Sequence, residues 1–408
     1  MKEVILREIN NNDLPVIICG AGIVGEALLS ICNDAGIQVK CFCDGSKKVS
    51  KTTLSGKEVI YTPALKSRYD DASLLISAAA IKDVVDLLHE MGFSKWYAGG
   101  NLLKDLDLSQ SVLLDYRKFA IENCILCHEG FLNQDEIFIR SIDLIITERC
   151  SLRCKDCSNL MQYYEKPENC DKDMLLTSID AFFKVVDEVM DFRIIGGETF
   201  MNKKWPLFVK RITEGAKPND PEVKRIVLYT NGTIVPAAED IECLKNDKAL
   251  VIATNYGLSL SRKLMELRQI LEQNSVSHHV LEMDEWLDCS AITQHHRTAE
   301  ENRGIYKKCC AKNMVTLSDG KLFRCPYAAN AARLCAVPDF EDDYVDLFRE
   351  PLDKRHIDKT KKKVRNYLLH KECLETCDFC DGRPLSGKAV EPAVQLDKPV
   401  VYFKYASK

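Results

Sequence analysis

Three cysteines at the end of a short apolar run, Cys150-x3-Cys154-x2-Cys157, are the residues best placed to do chemistry. The run Ile142-Asp143-Leu144-Ile145-Ile146-Thr147 reads as a strand, and the loop after it carries the thiols. Cysteine thiolates hold iron–sulfur clusters, usually four to a 4Fe-4S cube. Three ligands leave one iron open, as a catalytic zinc site leaves one position open. An open iron can bind and reduce a small molecule. A structural zinc loop would use the same residue type, so the spacing alone leaves both readings standing.

A second group follows one helix and one strand later. After the apolar stretch 191–195 comes Gly196-Gly197-Glu198. Paired glycines let backbone approach a ligand closely, and a carboxylate suits an ammonium partner. Together the two groups resemble the signature of the radical S-adenosylmethionine (radical SAM) superfamily. The resemblance implies that Cys150, Cys154 and Cys157 hold a catalytic 4Fe-4S cluster whose open iron chelates S-adenosylmethionine. It implies that Gly196, Gly197 and Glu198 receive the methionine amino group through backbone and carboxylate. It further implies ribose and carboxylate contacts from Thr230, Asn231 and Asn255, which end later strand candidates. In one respect the chain departs from the pattern: the aromatic residue usual before the third cysteine is Asp156 here, leaving Tyr163 or Tyr164 to meet the adenine.

A second field of thiols lies near the C-terminus. Cys310 is followed after nine residues by Gly320 and after four more by Cys325; much later comes Cys377-x2-Cys380. This resembles the twitch extension, a shortened SPASM domain. By that resemblance residues 316–323 form a β-hairpin turning at Asp319-Gly320. Cys310, Cys325, Cys377 and Cys380 then close one auxiliary 4Fe-4S site. Cys309 fits the spacing nearly as well as Cys310, and a four-thiolate zinc site has the same ligand count. Cys335 and Cys373 lack the spacing for a second auxiliary cluster.

The chain of 408 residues exceeds one ordinary core, so several domains are expected. A net charge of −5 gives no reason to expect nucleic acid or an anionic membrane as partner. No apolar stretch approaches a membrane span, and the first residues lack a signal peptide's apolar core; the expected location is cytoplasmic. Nineteen cysteines in such a chain point to metal ligands over disulfides. Seven of them fall between Cys309 and Cys380. Cys19, Cys32, Cys41, Cys43, Cys170 and Cys243 read as buried thiols. So do Cys124 and Cys127, although with His128 they have metal-ligand spacing.

The elements that must position these groups divide into four stretches. Residues 1–105 alternate strand and helix patterns, with Gly20-x-Gly22-x-x-Gly25 between the first strand and helix and Asp44 ending the second strand. That order fits a nucleotide-binding turn. It resembles the small Rossmann-like domain preceding sugar acyltransferases of the pilin-glycan type, through Cys43-Asp44-Gly45 and the stretch 54–60, which implies nucleotide-sugar binding. A tight turn in a domain that binds nothing has the same pattern. Residues 106–140 read as a connector. In 141–300, a helix over 174–190 with Ile179, Phe182, Phe183, Val186 and Met190 on one face precedes strands at 193–195, 225–229 and 250–253. Residues 301–408 hold the auxiliary field, and the basic run from Lys354-Arg355-His356 through Lys363 and Arg365 reads as a solvated helix face. The alternation reads as α/β with a parallel sheet, and the resemblance implies a partial (βα)6 radical SAM barrel with its ligand loops at the C-terminal strand ends, an N-terminal Rossmann-like domain and a C-terminal twitch extension.

The implied activity is hydrogen abstraction from a sugar, aminocyclitol or nucleotide-linked sugar by a 5′-deoxyadenosyl radical, with a flavodoxin- or ferredoxin-type protein as electron donor. The outcome is dehydrogenation through the auxiliary cluster, or epimerisation if a non-ligand thiol such as Cys289 or Cys335 donates a hydrogen atom. Modification of a ribosomally made peptide is the competing reading.

Overall fold

The computed structural model describes residues 2–46, 52–108, 116–133, 135–213, 220–351, 353, 356–384 and 386–406. Lys354 and Arg355 of the basic run lie outside them. The chain forms two units, Met1–Arg140 and Ser141–Lys408.

The first unit runs α1 (Lys2–Asn11), β1 (Val16–Cys19), α2 (Ile23–Asp34), β2 (Val39–Asp44), β3 (Thr53–Leu54), β4 (Lys57–Tyr61), β5 (Ser73–Ile76), α3 (Ile81–Glu90), β6 (Trp96–Ala98), α4 (Gly100–Leu103) and α5 (Tyr116–Leu132). Its sheet has the order β3-β4-β2-β1-β5-β6, parallel except for the β3–β4 pair. Both faces are covered, as uninterrupted apolar strands require. Val16, Ile18 and Leu75 join the core under α2 and α5, while Ile17, Cys19, Leu74 and Ile76 join the core under α3. The stretch read as a connector thus includes α5, which buries Ile121, Cys124 and Leu126 in this unit. Composition hid it, because its polar and apolar residues do not segregate to opposite faces.

His128 on α5 is fully buried. Its Nδ1 accepts the Gly100 N–H at 3.0 Å and its Nε2 donates to the Ala78 carbonyl at 3.0 Å. Both ring nitrogens are thereby spent on backbone, so the Cys124-x2-Cys127-His128 spacing makes a packing group.

The second unit begins its sheet with β7 (Phe138–Ile145), followed by α6 (Lys172–Val185), β8 (Glu188–Ile195), α7 (Trp205–Thr213), β9 (Glu222–Thr230), α8 (Ala238–Ile241), β10 (Ala249–Asn255), α9 (Leu264–Gln273) and β11 (His278–Glu282). Then come β12 (Trp286–Leu287), α10 (Ala299–Lys308), β13 (Val315–Ser318), β14 (Lys321–Phe323), α11 (Pro326–Arg333), β15 (Tyr344–Asp346), α12 (Ile357–His370) and β16 (Ala389–Val390). The eight-stranded sheet has the order β11-β10-β9-β8-β7-β13-β14-β15. Strands β7 to β11 lie in chain order, five where six βα units were expected. After β11 the chain makes short β12, which pairs with β16 outside this sheet. Meanwhile β13 adds parallel to the far edge of β7. The expected hairpin pairs Thr316 with Phe323 and Ser318 with Lys321, and Asp319 and Gly320 take the left-handed φ values that a tight turn needs.

One expected helix is shortened. Asp171 caps α6, its carboxylate accepting the Met174 N–H at 2.8 Å. The helix stops at Val185, and Val186 and Met190 leave the helical face. Val186 is extended, and the chain pairs with β9 from Glu188 onward. Adjacent β-branched valines favour the strand, and the sheet's pairing overrides a helical period that runs on by chance. Phe182 and Phe183 still pack edge-on against Phe192 of β8.

Burial lowers the His128 pKa to about 4 from 6.5. A base depressed on folding contributes fully above its unfolded pKa and loses that contribution as pH falls from about 6.5 to 4, about 3 kcal/mol in all. Hydrogen-exchange protection of the Gly100 amide, corrected for intrinsic rate, should therefore decline over that range; flat protection contradicts the assignment.

Candidate functional site

The three-thiol loop leaves β7 and is held by the loop leaving β8. Thr147 Oγ1 accepts the Arg149 N–H at 3.0 Å and donates to Asn169 Oδ1 at 2.7 Å, which starts the turn. Gly197 N–H then donates to the Thr147 carbonyl at 3.0 Å, and Glu198 N–H to the Arg149 carbonyl at 2.8 Å. A Cβ on Gly197 would sit 2.4 Å from Arg149 O and 2.8 Å from Cys150 Cβ. The paired glycines are thus required by loop-to-loop contact, whatever else the backbone meets.

Glu198 has no exposed surface. Its Oε1 accepts Thr230 Oγ1–H at 2.9 Å and Phe200 N–H at 3.1 Å, and its Oε2 accepts Asn231 N–H at 2.7 Å. The carboxylate is enclosed by this chain and ties the β8 loop to the β9 loop. Burial raises its pKa to about 7 against these three donors, which lower it.

Asn231, so placed, sends its Nδ2–H to Cys150 Sγ at 3.6 Å and to Ser151 Oγ at 3.1 Å. Thr230 faces Glu198. Asn255 is turned elsewhere: its Nδ2 donates to the Glu282 carboxylate at 2.8 and 3.1 Å. Its neighbour Tyr256 packs edge-on against Trp286, ring centroids 5.6 Å apart, with its hydroxyl within electrostatic reach of the thiols. Burial, then Cys154, Cys157 and Cys150, push the Tyr256 hydroxyl well above its usual range. Neither alternative aromatic is free: Tyr163 donates to the Ser290 carbonyl at 3.1 Å and stacks edge-on with Tyr402, and Tyr164 is buried in the same apolar cluster.

The thiols themselves are desolvated. Burial raises the Cys154 pKa to about 11 and pushes Cys150 and Cys157 up as well; neighbouring thiols raise Cys150 and Cys154 further. Opposing this, amide N–H groups of Leu152, Asn159 and Met161 and the Gln395 carboxamide are directed at the sulfurs. Among the described residues no three Cys, His, Asp or Glu side chains close on a single-ion site. The donor set fits a larger group: three thiols on one loop, ringed by N–H donors of the kind that stabilise cluster-bound thiolate.

In the second field, a cavity is lined by Cys309, Cys325, Cys377, Cys380 and Cys289, with Tyr306 and Tyr327 among its walls. Cys310 does not line it and is exposed. The expected Cys310 therefore gives way to Cys309. The segment is extended at Cys309 and bridges to Pro384, so successive side chains point to opposite sides. Buried Asp343 holds the Cys377–Cys380 turn, accepting from Glu375 N–H at 2.8 Å, Thr376 N–H at 2.7 Å and Thr376 Oγ1–H at 2.6 Å. Arg297 donates to the carbonyls of Cys377 and Cys380. Sequence reasoning found none of Asp343, Arg297 or Gln395, because each acts across a long sequence separation with no local motif.

In the first unit the glycine loop is largely satisfied by its own chain. Gly20 takes φ +117° with its Cβ position 2.3 Å from Ser77 Oγ, and Gly25 abuts the Gly20 carbonyl. Only Gly22 borders open space. Asp44, the acid that ends the expected nucleotide-binding turn, accepts Ala21 N–H at 2.9 Å and Ser46 N–H at 2.8 Å.

No family model matches the chain, and no curated protein does. Among solved structures, BtrN in complex with AdoMet and 2-DOIA is 15% identical, over 60% of this chain and 94% of that one, at a TM-score of 0.39. Native anSMEcpe with bound AdoMet and Kp18Cys peptide is 11% identical, over 63% and 93%, at 0.39. Streptococcus suis SuiB bound to S-adenosylmethionine is 11% identical, over 74% and 84%, at 0.31. Likenesses this distant carry no argument about activity; the chemistry rests on the residues above.

Two outcomes test this geometry. Glu198→Gln puts an amide where three donors already point, so it should cost about 1–3 kcal/mol, seen as a lower unfolding midpoint; an unchanged midpoint contradicts the tie. Cys309→Ala should lower reconstituted iron by about half, one of two cubes, while Cys310→Ala leaves iron at the parent level. The reverse pattern would restore Cys310.

Proposed function

We propose that this protein is a radical SAM enzyme, with a catalytic 4Fe-4S cluster at Cys150, Cys154 and Cys157 and an auxiliary one at Cys309, Cys325, Cys377 and Cys380. When bound, the cluster and S-adenosylmethionine supply a 5′-deoxyadenosyl radical after one electron arrives from a flavodoxin- or ferredoxin-type donor. The observation carrying this reading is convergence on Cys150: Gly197 lies against its Cβ and Asn231 donates to its sulfur. Motifs 47 and 81 residues away in sequence thus meet at one thiol.

This chain's residues would do the following. Backbone carbonyls of Gly196 and Gly197 receive the ammonium, in place of the enclosed Glu198 carboxylate. Glu198 keeps Asn231 in reach of the cluster loop. Tyr256 offers an aromatic face beside the thiols, the part that Asp156 cannot play. The apolar group containing Cys157, Tyr163, Tyr327, Cys325 and Cys380 keeps water from the space between the two thiol fields.

The substrate class we propose is a sugar, aminocyclitol or nucleotide-linked sugar, undergoing dehydrogenation or epimerisation. Reduced, reconstituted enzyme should form 5′-deoxyadenosine faster with one of these sugar-type compounds than without. Stimulation by peptides alone would replace the reading with peptide modification. In deuterated water a dehydrogenase gives a ketone without solvent hydrogen, whereas an epimerase returns a deuterated isomer.

A further inference from the structure

The segment after β16 returns across the cluster loop. Lys155 N–H donates to the Val394 carbonyl at 2.7 Å and Leu396 N–H to the Arg153 carbonyl at 2.9 Å, an antiparallel bridge centred on Cys154 and Gln395. The Arg153 guanidinium donates to the Asp397 carbonyl at 3.0 Å. Further along, Val400 N–H donates to the Gln162 carbonyl and Tyr405 N–H to that of Cys335. The strap is pinned on both sides of Gln395.

At its centre the Gln395 carboxamide is fully used. Oε1 accepts the Arg153 N–H at 2.9 Å, while Nε2 donates to the Ala393 carbonyl at 2.7 Å and to Cys154 Sγ at 3.2 Å. Flipping the amide would set N–H against N–H and carbonyl against carbonyl, so the hydrogen-bond network fixes its orientation. Although Gln395 is an exposed residue, its amide is turned inward onto a thiol that is only 7% exposed.

We infer that Gln395 is a positioning residue that raises the reduction potential of the cluster held by the three-thiol loop, an inference that rests on the reading of that loop as a cluster site. An N–H donor on a ligating sulfur disperses its negative charge. That favours the reduced, more negative cluster, and hydrogen bonds to the sulfurs are among the terms that set such potentials. Asn231, after β9, makes the longer corresponding contact to Cys150, so carboxamides from two segments far apart in sequence address two of the three sulfurs.

The test compares Gln395→Leu and Gln395→Glu with the parent protein after anaerobic reconstitution, measuring iron and sulfide content and the midpoint potential by redox titration followed by electron paramagnetic resonance. Gln395→Glu keeps the acceptor for Arg153 N–H and loses the donor to sulfur. Both variants should retain cluster content with potentials shifted negative, further for Glu than for Leu. An unchanged potential in both overturns the inference. So does loss of the cluster in both, which would reduce Gln395 to a loop support. A parent protein that assembles no cluster defeats the reading of the loop instead.

Discussion

The second unit depends on one enclosed carboxylate. Glu198 meets a hydroxyl from Thr230 and amides from Phe200 and Asn231, joining the loop after β8 to the loop after β9. The β8 loop is in turn sewn to the cluster loop by the amides of Gly197 and Glu198. Three strand ends are locked together without any ligand. Charge burial on this scale is tolerated only with its donors in place, which makes the arrangement specific as well as stable. A site that must receive a reactive group benefits from such prior order, since loops left to find their geometry on binding would spend affinity doing so.

The two thiol fields share a problem. Burial drives Cys150, Cys154, Cys157, Cys325, Cys377 and Cys380 toward the protonated form, so assembly of any thiolate-bound group must displace protons. The catalytic loop counters this with amide donors aimed at sulfur. The second field does the same, with Ala328 N–H on Cys325 Sγ at 3.5 Å and Gly382 N–H on Cys380 Sγ at 3.3 Å, and it stabilises the supporting turn through Asp343, whose backbone carbonyl also accepts the Tyr367 hydroxyl. Cys289, a fifth thiol on that cavity, has burial raising its pKa to about 11 and Arg383 lowering it.

Much of this was legible in the chain. Spacing singled out the three-thiol loop, which does follow β7, and the Asp319-Gly320 pair located the hairpin turn. Apolar runs located β1, β2 and β5 of the first sheet and β7 to β10 of the second, but not β6, β11 or β15. Legibility failed where a long-range contact decided the outcome. Helical periodicity carried α6 five residues too far because pairing with β9 cannot be seen from residues 186–190 alone. The choice between Cys309 and Cys310 turned on which side of an extended segment faces the cavity. Gln395 could not be found at all, since nothing in a tail of mixed composition signals a thiol 241 residues earlier.

The central claim is that the loop from Cys150 to Cys157 carries an iron cube with one corner open to S-adenosylmethionine. Electron paramagnetic resonance of the reduced protein, reconstituted in a Cys309→Ala background to leave the first field alone, addresses it most directly. The account predicts a 4Fe-4S signal whose g values shift when S-adenosylmethionine is added. A loop that takes up zinc, or a signal indifferent to S-adenosylmethionine, would contradict it.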